Sequence, residues 1–78
     1  NYDTEAITIN YNKIIDEITD EMRKHCFVEM YISGGPLEMA CFTFGYEGMH
    51  YKISLPIYNL INEGVKEEVL NQFERIIE

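Results

Sequence analysis

Positive charge is scarce in this sequence: 6 Lys and Arg stand against 14 Asp and Glu, giving 78 residues a formal net charge of −8. Nucleic acids and anionic membranes are normally held through Lys and Arg that displace counterions, so a field of this sign disfavours direct binding of either. Cysteine is scarce too. Two Cys in a chain with a hydrophobic share of 46% read as reduced thiols of a cytoplasmic protein and not as a disulfide framework. No stretch approaches the ~18 apolar residues of a membrane span. The start shows no basic segment followed by an apolar one, so no export signal is expected, and a first residue other than Met fits a processed or trimmed end. Linkers, repeats and low-complexity stretches are absent. A single domain, 1–78, is expected, because this length builds one hydrophobic core and not two.

Apolar periodicity supplies the fold class. From Ile7 onward, Tyr11, Ile14, Ile15, Ile18 and Met22 recur at spacings of three and four, which places them on one stripe of a helix. Asp3 or Thr4 would cap an early start, favoured here, and Asn10 a later one. Arg23, Lys24 and His25 close the helix with positive charge at the negative end of its dipole. Between Cys26 and Leu55 the period drops to two, predicting strands over about 27–33, 38–45 and 49–55, with turns at Gly34-Gly35-Pro36 and Glu47-Gly48. Short turns make the order an antiparallel meander. Alternation puts Val28, Met30, Ile32, Phe42, Phe44, Tyr51, Ile53 and Leu55 on a side for helices to cover. Glu29, Tyr31, Met39, Cys41, Thr43, His50, Lys52 and Ser54 fall on the other.

Pro56 suits a helix entry. Ile57, Leu60 and Ile61 make a short apolar stripe that Asn62-Glu63-Gly64 stops, and a last helix over about 65–77 turns Val65, Val69, Leu70, Phe73, Ile76 and Ile77 inward. Gly64 either separates two helices or kinks one. The expected architecture is α+β: an N-terminal helix, a three-stranded antiparallel meander, and one or two C-terminal helices (αβββαα) packed on one sheet face.

No catalytic or metal chemistry is legible. His25, Cys26, Cys41 and His50 have the inventory of a zinc site without its spacing, since neither a C-x-x-C nor an H-x-x-x-H pair is present. The expectation is no metal and no cofactor. His25 beside Cys26 does not form a nucleophile and base, because neighbours at a helix end point in different directions. Gly34-Gly35 lacks the Lys and Ser/Thr of a phosphate loop. The chain is therefore expected not to be an enzyme.

Two features have some shape. Asp16, Glu17, Asp20 and Glu21 lie on successive turns, with Asp16/Asp20 and Glu17/Glu21 at the four-residue spacing of helix neighbours. One reading is a solvated face offset by Lys13 to Glu17 and Asp20 to Lys24 pairs. The other is a ridge of carboxylates for a basic groove, joined by Glu67, Glu68 and Glu74 of the last helix. Aromatics are the second feature. Phe42, Phe44 and Tyr51 belong to the core by alternation, whereas Tyr31, Tyr46 and Tyr58 are less constrained and fit an interface.

The α-β-β-β-α-α order, the acidic balance and the small size together resemble certain phage-encoded anti-CRISPR proteins. The likeness is one of topology and charge, with no shared motif. It implies a DNA mimic that occupies the nucleic-acid-binding groove of a Cas nuclease in the host cytoplasm. The double-stranded-RNA-binding domain is similar in outline, but it needs basic residues where this last helix begins Val65-Lys66-Glu67-Glu68. The expected function is a non-enzymatic inhibitor or regulator that binds a basic, nucleic-acid-binding protein, with Asp16, Glu17, Asp20, Glu21, Tyr31, Tyr46, Glu67, Glu68 and Glu74 as contact residues. The alternative is a small adaptor domain that forms a homodimer through its open sheet face.

Overall fold

The computed structural model describes the backbone from Thr4 and the side chains from Tyr11 onward. Helix α1 runs Thr4–Arg23, strands β1, β2 and β3 run Val28–Ser33, Met39–Tyr46 and Met49–Pro56, a 3₁₀ helix spans Ile57–Ile61, and helix α2 runs Val65–Ile77. The early helix start therefore holds, while Asp3 and the side chain of Ile7 lie outside the described residues. The fold is α+β with one open sheet, ordered β1-β2-β3, every pairing antiparallel.

The register follows from the period of two. Val28 pairs with Phe44, Met30 with Phe42 and Ile32 with Ala40; across the other seam Phe44 pairs with Tyr51, Phe42 with Ile53 and Ala40 with Leu55. Directly paired residues share a sheet face, so all of these project to the side on which α1 and α2 pack. Helix α1 lies against β1, α2 against β3, and the two helices touch each other. Phe42, Phe73, Ile18, Met22, Leu60 and Val28 are the largest fully buried side chains. Phe73 of α2 meets Phe44 edge-on, ring centroids 4.9 Å apart, a favoured arrangement of aromatic quadrupoles. The hydroxyl of Thr19, the one buried polar side chain among the described residues, donates within its own helix, lying 3.0 Å from the Ile15 carbonyl and 3.1 Å from that of Asp16.

The connections have local causes. Helix α1 stops at Arg23, two residues short of His25, and the His25 and Cys26 N–H groups both reach the Met22 carbonyl. The Arg23 guanidinium turns the corner by donating from Nε and Nη2 to the Val28 carbonyl at 3.2 and 3.1 Å, which ties the helix end to the first strand. The β2–β3 hairpin closes on Glu47 (φ 50°) and Gly48 (φ 81°), between the paired Tyr46 and Met49. Positive φ at both central residues is the type I′ turn that matches strand twist. Gly64, at φ 85°, separates the 3₁₀ helix from α2 and so answers the choice between a break and a kink.

Two expectations about the core are corrected. Ile61 leaves the apolar stripe and is 64% exposed. A 3₁₀ helix has three residues per turn, so Ile57 and Leu60 eclipse one another and Ile61 is rotated away. Ile32 lies on the helix-covered side yet is 41% exposed: it sits on the edge strand β1, in the wall of an open hollow that it shares with Tyr11 and Ile15 of α1.

Candidate functional site

The four carboxylates expected as one ridge on α1 divide into two pairs. Asp16 and Asp20 are exposed, while Glu17 and Glu21 are half-buried on the flank toward α2. Residues four apart share a stripe, whereas residues one apart are turned ~100° from each other, so the two i,i+4 pairs cannot face the same way. Their cation partners differ from those suggested by spacing. Glu21 accepts from Lys24 at 2.9 Å, and Glu17 pairs with Lys66 of α2 at 3.9 Å. The hydrogen bond from Lys24, and then its charge, hold the Glu21 carboxyl below the ordinary carboxylate range, with a smaller contribution from Lys66. Glu17 and Glu21 are thus partly neutralised. Spacing along one helix shows only partners on that helix, and the first turn of α2 is brought to α1 by the tertiary fold.

On α2, Glu67, Glu68 and Glu74 are all exposed, as the inward stripe Val65, Val69 and Phe73 requires. Glu67 and Glu68 occupy the first turn, where the helix dipole favours negative charge; Gly64 offers no capping side chain there. Between α1, the 3₁₀ helix and α2 lies an open cleft of about 390 Å³ whose rim includes Lys13, Glu17, Ile61 and Lys66.

The tyrosines separate sharply. Tyr31 projects from β1 on the uncovered face and is 46% exposed. Tyr46 follows Phe42 and Phe44 at a period of two, falls on the covered face, and packs half-buried against the core. Its expected freedom is corrected, and the alternation that assigned its two neighbours was sufficient to place it. Phe27 was missed as a surface residue. It precedes β1, is 75% exposed, and lines a shallow hollow on the uncovered face with Glu29, Thr43, Gly45 and His50.

The thiols and imidazoles are scattered. Cys41 lies on the uncovered face, buried between its register neighbours Tyr31 and Ser54, its Sγ 3.8 Å from the Met39 carbonyl. Cys26 is half-buried beside the core, and burial pushes its thiol up, away from the reactive thiolate. His25 rests against the Phe73 ring at 5.9 Å. Among the described residues no three His, Cys, Asp or Glu side chains converge on a point where a metal ion would sit, and no helix is long and apolar enough to cross a membrane. The features left are surfaces: an acidic helical layer and an uncovered sheet face. Comparison with protein-family models, with curated proteins and with solved structures gave no significant match.

Proposed function

We propose that this protein is a non-enzymatic inhibitor or regulator that presents its acidic helical layer to a basic, nucleic-acid-handling protein, a Cas nuclease being the partner its topology and charge suggest. One observation carries the reading: the charge of −8 is unevenly distributed. From Tyr11 onward the two helices carry seven carboxylates, of which Asp16, Asp20, Glu67, Glu68 and Glu74 are exposed and Glu17 and Glu21 half-buried, against the four cations Lys13, Arg23, Lys66 and Arg75, while the uncovered sheet face carries one carboxylate, Glu29, and one ammonium, Lys52. Carboxylates on a rigid helical layer offer a basic groove what phosphates offer it, fixed negative charge at short spacing, and they steer the encounter electrostatically. Glu17 and Glu21 contribute less because Lys66 and Lys24 already engage them.

The test is displacement of fluorescent duplex DNA from guide-loaded Cas nucleases, followed by anisotropy at low and physiological salt. The wild type is expected to displace the duplex, more weakly as salt rises. A variant with Asp16→Asn, Asp20→Asn, Glu67→Gln and Glu74→Gln is expected to lose about tenfold or more in potency, equivalent to ~1.4 kcal/mol of binding. No displacement at low salt by the wild type, or equal potency in the variant, rejects the proposal.

A further inference from the structure

We infer that two copies of this chain pair face to face through the uncovered sheet surface, about a two-fold axis parallel to β2. The argument begins with the register. On that face the strands align in transverse rows, one of Glu29, Thr43 and Lys52, the next of Tyr31, Cys41 and Ser54. Glu29 and Lys52 therefore stand at opposite edges of the sheet and at the same height along it. Both are exposed.

A two-fold axis running along β2 exchanges the two edge strands and preserves each row. It sets Glu29 of one copy over Lys52 of the other, and the same pair recurs on the far side. Tyr31 comes over Ser54 by the same operation, and the central Thr43 meets its own copy on the axis. A two-fold axis lying across the strands through this row does the opposite, placing Glu29 over Glu29 and Lys52 over Lys52. Charge complementarity thus selects one axis of the two, and an isologous contact of this kind closes at a dimer.

The occupant is a second copy and not an unrelated chain because the face complements itself. Its one carboxylate and one ammonium balance, so two bodies that each carry −8 approach there with the least local repulsion. Phe27 and Tyr31, 75% and 46% exposed, supply aromatic contact, the residue class enriched in the centre of interfaces. Sheets packed in this way lie ~10 Å apart with strands within about 30° of alignment. Three strands at ~4.8 Å spacing and ~3.3 Å per residue present roughly 300 Å² in projection, so the dimer is of the weak, reversible kind. It leaves the helical layers of both copies facing outward, and it does not depend on those layers having a partner.

Sedimentation equilibrium of the full chain at protein concentrations from about 10 μM to about 1 mM, near physiological salt, tests the pairing. The wild type is expected to move from monomer to dimer across that range. Glu29→Lys and Lys52→Glu, both at exposed positions and each checked for native circular dichroism, are expected to dimerise about tenfold more weakly alone. Mixed in equal amounts they are expected to recover association close to wild type, because in the mixed dimer the two substituted positions face each other with opposite charge and the second pair is the native Glu29 and Lys52. Failure of a folded single variant to weaken, or of the mixture to recover, overturns the inference. So does a wild type that stays monomeric throughout.

Discussion

On the side of the sheet covered by α1 and α2, Val28, Phe42, Phe44 and Ile53 are buried and packed against Ile18, Met22 and Phe73. On the other side the same three strands display Glu29, Tyr31, His50 and Lys52 to solvent, with Phe27 exposed just before β1. The backbone ladder is common to both faces, so the difference lies entirely in what each side chain finds opposite it. Apolar burial is concentrated on one side. Excess negative charge lies off the faces of the sheet, shared between the helices and the exposed Glu38, Glu47, Glu63 and Glu78 of the turns and the chain end.

The sharpest way to break this asymmetry is Phe42→Ala, which opens a cavity at a fully buried position of the central strand. It is expected to cost about 3–5 kcal/mol by urea denaturation, whereas Tyr31→Ala, across the pleat on the uncovered face, is expected to cost under about 1 kcal/mol. Equal losses would show that the two faces are not energetically distinct. A smaller effect is expected at the corner where α1 enters the sheet. Arg23→Met keeps the aliphatic stem and removes both donors to the Val28 carbonyl. The expected loss is about 1 kcal/mol, and hydrogen exchange should rise first at the β1 end that Arg23 holds. The smallest effect is a gain. Glu47 occupies a left-handed conformation, φ 50°, that asparagine tolerates better, so Glu47→Asn is expected to raise the midpoint of thermal unfolding through about 0.5–1 kcal/mol of relieved backbone strain.

Much of the fold was legible because its elements are local. The three-and-four spacing of Tyr11, Ile14, Ile15, Ile18 and Met22 gave α1, and period-two alternation gave three strands whose observed ends lie within one residue of expectation. Face assignment followed from the same alternation and extended correctly to Cys41. The features that were not legible depend on tertiary contact. The pairing of Glu17 with Lys66 arises only when α2 is laid beside α1, and it changes which carboxylates are available on the surface. Ile61 was misplaced because three closely spaced apolar residues fit an α-helical stripe as well as a 3₁₀ turn. The alignment of Glu29 and Lys52 in one transverse row with Thr43 requires the strand register, which alternation alone does not supply.

The order of the strands in the sheet repeats their order in the chain, and this bears on how the molecule assembles. Each hairpin can zip from its own turn with little loop entropy to overcome, whereas the contact between α1 and α2 joins the two ends of the polypeptide. The chain is therefore expected to fold faster than a sheet of the same size whose neighbouring strands are distant in sequence.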